Sequence, residues 1–72
     1  MSEESKNYAM DLLATMVVQS RAEREGRSFD AVFSEFRKSK TYAMLYDSQT
    51  GLWMNGPDYI SDEYDLELGN KH

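Results

Sequence analysis

The chain contains no cysteine, and at 72 residues that absence decides how it can be held together. A chain of this size buries only about 60% of the surface its unfolded form exposes, so small domains commonly rely on disulfides or a structural metal. Neither is open to this one. Without thiols there is no disulfide framework and no thiolate metal site, and one histidine, His72 at the end of the sequence, cannot build an imidazole site. What remains is tight packing of regular elements, or support from a partner.

The spacing of apolar residues says which elements these are. No run alternates at period two for a useful length, so paired strands are not expected. From Asn7 to about Glu25, the residues Ala9, Leu12, Leu13, Met16 and Val17 recur at helical spacing, with Tyr8 and Met10 beside them. Arg21, Arg24 and Arg27 complement the C-terminal end of that helix's dipole, and Gly26 is a left-handed stop. Ser28 is placed to cap a second helix, with Asp30 in its first turn and Phe29, Val32, Phe33 and Phe36 as its apolar stripe. After residues 37–40, Thr41 either caps a short third helix ending at Asp47 or the second helix continues. Asp47, Ser48 and Gly51 mark a turn, and Leu52-Trp53-Met54 is an apolar plug, too short for a helix and compatible with extended chain. Pro57 and Asp58 open a last helix, lined by Ile60, Tyr64 and Leu68 and ended by Gly69.

The expectation is a single all-α domain over residues 1–72: a small bundle of three to four short helices with an aromatic connecting segment. Residues 1–6 are expected to fray or to supply a cap from Ser2 or Ser5, and residues 69–72 to fray. Leu12, Leu13 and Met16 are expected to pack against Phe29, Val32, Phe33 and Phe36, with the Trp53 segment and the last helix closing over them.

Charge is spread unevenly. Residues 1–40 carry seven acidic and seven basic groups, residues 41–72 six acidic groups and one lysine, so the net charge of -5 arises in the C-terminal part. An acidic pole disfavours phosphate backbones and favours a basic protein surface. Against this stand six basic groups in two arms, Arg21/Arg24/Arg27 and Arg37/Lys38/Lys40. Acidic residues interrupt them, they sit at opposite ends of the second helix, and the pI is about 4.6, so nucleic-acid or operator binding is the alternative rather than the main reading. The acidic start Met1-Ser2-Glu3-Glu4 lacks the basic stretch and apolar run of a secretory signal. The longest apolar run, Tyr42 to Tyr46, falls far short of the ~20 residues of a membrane span, and a cytoplasmic location is expected.

Chemistry-bearing constellations are scarce. Asp58, Asp62, Glu63, Asp65 and Glu67 crowd together in sequence, but on a helix they fall on separate faces and do not ring a point, as a calcium ion requires. The stretch 47–58 has the length of an EF-hand loop, yet Leu52 occupies the obligatory glycine position and Asp58 that of the bidentate glutamate. His72 has no fixed base partner, and pairs such as Ser20-Arg21 and Ser39-Lys40 are ordinary helix-surface neighbours. No metal, cofactor or catalytic group is therefore expected, and the chain does not read as an enzyme.

Aromatic residues are more informative. Tyr42, Tyr46, Trp53, Tyr59 and Tyr64, with Met44 and Met54, have the composition of interface hot spots as well as of a small core. Trp53 is either the lid of the core or an anchor for a partner. The candidate partner-binding residues are Tyr46, Trp53, Tyr59, Asp62, Tyr64 and Asp65, facing either a basic protein surface or a second copy of the chain.

Ser39-Lys40-Thr41-Tyr42, Leu45-Tyr46-Asp47, Thr50-Gly51-Leu52-Trp53, Gly56-Pro57 and Tyr59-Ile60 together resemble a pattern in short uncharacterised acidic helical bacterial proteins, some of them antitoxin-like neighbours of toxins. The resemblance spans residues 39–64 and transfers no catalytic residue. It implies a non-catalytic role in binding another protein, a toxin or another bacterial effector.

Overall fold

In the computed structural model, which describes residues 3–69, the first helix, α1 (Glu3–Glu25), starts at Glu3 rather than at Asn7. Residues 3–6 therefore lie within the helix. The cap expected of Ser2, the fraying of residues 70–72 and the position of His72 lie outside the described residues. At its other end α1 stops as anticipated: Gly26 takes φ 67°, and the Arg27 amide donates to the Ala22 carbonyl.

The face that α1 turns to the core differs from the expected one. It consists of Met10, Ala14, Val17, Val18 and Ala22, with Arg21 among them, while Leu13 is only partly buried against this core. Leu12 and Met16, expected inside, are 49% and 43% exposed, and Phe29 of the second helix also reaches solvent. The real stripe is turned by about a third of a turn from the expected one. The two interleave because residues 8–18 are apolar on most sides, so periodicity alone selects neither. The face that is buried includes Ala14 and Ala22 and carries Arg21, which bonds to Asp65 on the last helix.

Helix α2 (Phe29–Phe36) begins as expected, with Ser28 Oγ accepting from the Ala31 amide at 3.2 Å. It buries Val32 and Phe36, and Phe36 lies edge-on to both Tyr42 (5.6 Å) and Tyr64 (4.9 Å). The chain breaks after Phe36 and restarts as α3 (Lys40–Leu45). Its cap is Ser39, whose Oγ accepts from the Tyr42 amide, not Thr41, which is buried inside the first turn. Leu52–Met54 forms a single 3-10 turn rather than extended chain; Gly51, at φ 72°, delivers the backbone into it, and Leu52 drops into the core.

Helix α4 (Pro57–Glu67) starts with Pro57 in its first turn and sends Ile60, Tyr64 and Asp65 inward. It packs on α1 and α3, α2 packs on α1, and the 3-10 turn rests on α1 and α3. The described residues thus form an all-α bundle of four helices with no strand. No helix among them is long and apolar enough to cross a membrane.

Candidate interaction surface

The structure separates the six candidate binding residues by burial. Tyr64 and Asp65 are buried, so they serve the interior and are not open to a partner. Tyr46 is half-buried: its ring lies 4.6 Å from that of Tyr42, and its hydroxyl donates to Asp11 Oδ1 on α1. Burial, and then this bond to a carboxylate, push the Tyr46 hydroxyl well above the ordinary tyrosine range. Trp53 is also half-buried, packing on the core while its Nε1 reaches the Ser48 carbonyl at 3.4 Å. It closes the core with one face and shows solvent the other. Tyr59 is exposed, and Asp62 beside it is exposed as well.

Asp65 is turned inward by Arg21. The guanidinium of Arg21, itself only 5% exposed, donates from Nη1 to Asp65 Oδ1 at 2.6 Å and from Nε to Glu25 Oε2 at 3.1 Å, and lies 4.7 Å over the Tyr64 ring. Arg21 thus joins α1 to α4 and is no part of an exposed basic arm. Arg27 is engaged too, in a two-pronged pair with Glu35 at 3.0 and 2.5 Å and a longer contact with Glu25. The bond to Glu35 raises the Arg27 guanidinium and lowers the Glu35 carboxyl. Of the six basic groups read as two arms, these two are committed to ion pairs.

A second carboxylate, which the sequence did not single out, fastens the other end of α4. Glu67 accepts the Lys40 amide at Oε2 (2.8 Å), and at Oε1 both the Thr41 amide (2.8 Å) and the Thr41 hydroxyl (2.7 Å). It caps α3 from another helix while Ser39 caps it locally. Burial opposes the charge on Glu67, but these donors outweigh it and hold its pKa below the ordinary glutamate value. A depressed folded-state pKa contributes stability that is complete above the unfolded value of about 4.3 and disappears as pH falls through the folded value. Protection of the Lys40 and Thr41 amides, taken relative to their intrinsic exchange rates at each pH, should therefore fall on acidification ahead of protection in the core of α1. Glu67→Gln should remove that pH dependence, and an unchanged profile in the variant would refute the role given to this cap.

What faces outward on α4 is acidic with apolar groups set in it. Tyr59 is 51% and Leu66 62% exposed, among Asp58, Asp62 and the half-buried Glu63. Among the described residues these three carboxylates form no ion pair. An open groove of about 400 Å³ runs beside Leu66 between α3 and α4, floored by Met44 and edged by Lys40 and Glu63. A smaller one of about 150 Å³ lies between α1 and α4, where Met16, Ser20 and Arg24 meet Asp58 and Asp62. Among the described residues no three metal-ligating side chains come together.

The sequence carried a signal for Glu67 that propensity rules pass over. A carboxylate in the last turn of a helix opposes the dipole, and α4 has no basic residue there, so Glu67 is misplaced unless it serves a different helix. Arg21 carried one as well: it continues the Met10–Ala14–Val17–Val18 face at helical spacing. Neither a protein-family model, nor a curated protein, nor a solved structure matches this chain.

Proposed function

We propose that the protein is a non-catalytic binding module that meets a basic protein surface through the outward face of α4. The observation that carries this reading is the exposure of Tyr59 and Leu66 beside Asp58, Asp62 and Glu63, none of which is in an ion pair among the described residues. Large apolar groups ringed by uncompensated charge of one sign suit a partner offering an apolar contact rimmed by Lys or Arg. Trp53 and Tyr46 are half-buried against the core and lie outside this face. The pattern of residues 39–64, read as resembling short acidic helical bacterial proteins of which some are antitoxin-like, would make that partner a toxin or another bacterial effector.

Nucleic-acid binding would have four of its six basic groups at the surface, because Arg21 is buried and Arg27 is paired. The test is retention from lysate, with nuclease present, on immobilised wild-type protein and on an Asp58→Lys/Asp62→Lys variant. The wild type is expected to hold a basic protein in near-equal amount, and the variant to lose at least nine tenths of it. Equal retention by both, or retention only of nucleic acid when nuclease is omitted, would remove the proposal.

A further inference from the structure

We propose that Asn55-Gly56, the link between the 3-10 turn and α4, is a self-modification site at which Asn55 deamidates to aspartate and isoaspartate and so releases the 3-10 turn from a side-chain clamp. The inference goes beyond the α4 reading and does not rest on it. Asparagine is a thermolabile residue, and its side-chain amide is most open to attack when the residue that follows has no Cβ to shield the backbone nitrogen. Asn55 and Gly56 are both exposed and lie outside the helices. Asn7, also exposed, sits inside α1 and is followed by Tyr8 instead.

The Gly56 nitrogen is free for this chemistry. Gly56 is the N-cap of α4, so its amide has no place in the helical hydrogen-bond ladder. The third residue of α4, from which a glutamate or glutamine could reach back to that amide, is Tyr59. Among the described residues no acceptor takes the Gly56 N–H. Pro57 keeps Gly56 extended, at φ -76° and ψ 168°, so the helix does not grow backwards to take it up. Nor does the fold call for glycine here: φ is negative, unlike that of Gly26, Gly51 and Gly69, and an added Cβ would meet nothing within 4 Å.

Asn55 itself sits at φ -96° and ψ 165°, its Nδ2 donating to the Gly51 carbonyl at 3.3 Å and to the Leu52 carbonyl at 3.4 Å. Both bonds are long, and once they open, rotation about the Cα–C bond of Asn55 brings the Gly56 nitrogen onto Cγ. That nitrogen gives its proton to a solvent base and bonds to Cγ; the Cγ–Nδ2 bond breaks, and Nδ2 takes up a proton and leaves as ammonia. Water then opens the succinimide ring, at Cγ to give aspartate or at the backbone carbonyl carbon of residue 55 to give isoaspartate, whose main chain runs through Cβ and Cγ. Water is the only co-reactant. The product carboxylate has no N–H to offer the Gly51 and Leu52 carbonyls and is repelled by them. The turn that sets Leu52 in the core and packs Trp53 against it thereby loses its clamp, and the net charge of -5 becomes one unit more negative.

Incubation of the purified chain at neutral pH and physiological temperature, with the products mapped by fragmentation mass spectrometry, should show conversion at residue 55 with isoaspartate among the products while Asn7 stays intact. The rate should rise toward alkaline pH, because the attacking amide must lose its proton. Gly56→Ala should keep the helical circular dichroism and slow conversion by at least about tenfold, since its Cβ stands beside the attacking nitrogen. The converted fraction, separated by anion exchange, should show the emission of Trp53, the sole tryptophan, moved to longer wavelength. Asn55 surviving as long as Asn7, or equal rates in the wild type and Gly56→Ala, would overturn the site. Unmoved Trp53 emission in the converted fraction would overturn the release of the turn.

Discussion

Phe36→Ala is expected to remove about 4 kcal/mol of stability, within the range for deleting a fully buried aromatic side chain. Phe36 is completely inaccessible, and it is where α2, the start of α3 and α4 meet, through its edge contacts with Tyr42 and Tyr64. Small domains have about 0.05–0.15 kcal/mol of stability per residue, so this one substitution consumes much of the total for 72 residues. Phe29→Ala, on the same helix but at the surface, should cost at most about 1 kcal/mol. Urea unfolding followed by circular dichroism compares the two. Near-equal midpoints would contradict the assignment of the core.

Asp65→Ala is expected to cost about 3 kcal/mol, because it strips a buried guanidinium of its closest partner. The loss falls at the low end for a broken buried pair, since Glu25 still holds the Nε side of Arg21. Replacing both partners by apolar residues, Arg21→Met with Asp65→Leu, should recover most of that stability, as it leaves no stranded charge. If Asp65→Ala unfolds within about 1 kcal/mol of the wild type, the pair is not what fastens α4 to α1.

Punctuation was the most legible part of the sequence. Ser28, Gly26, Gly51 and Pro57 each act through local backbone chemistry, and each does in the structure what that chemistry dictates. The facing of α1 was not legible in the same way. With apolar residues on most of its circumference, its orientation is decided by distant residues, above all by Asp65, forty-four positions from Arg21 in the sequence. Local chemistry makes Thr41 a natural cap, yet in the structure it is a donor to Glu67, again a partner that local rules do not see.

The candidate surface follows the same division. That the C-terminal part is acidic and rich in tyrosine is a matter of counting. Which of those groups face outward depends on how α4 is rolled. The bonds of Asp65 and Glu67 to α1 and α3 set that roll, turning Tyr64 in and leaving Tyr59 and Asp62 out. Interface and core draw on the same aromatic residue types, so composition alone could not divide the five late aromatics between them.

The most direct test of the binding account is the footprint of the retained basic protein on isotope-labelled chain, read from backbone amide shifts as the partner is titrated in. The account requires the largest changes at Asp58, Tyr59, Asp62, Glu63 and Leu66, with residues 21–38 little affected and Tyr64 and Asp65 responding only through their backbone neighbours. A footprint centred on Arg24, Arg37 and Lys38, with the outward face of α4 silent, would contradict it.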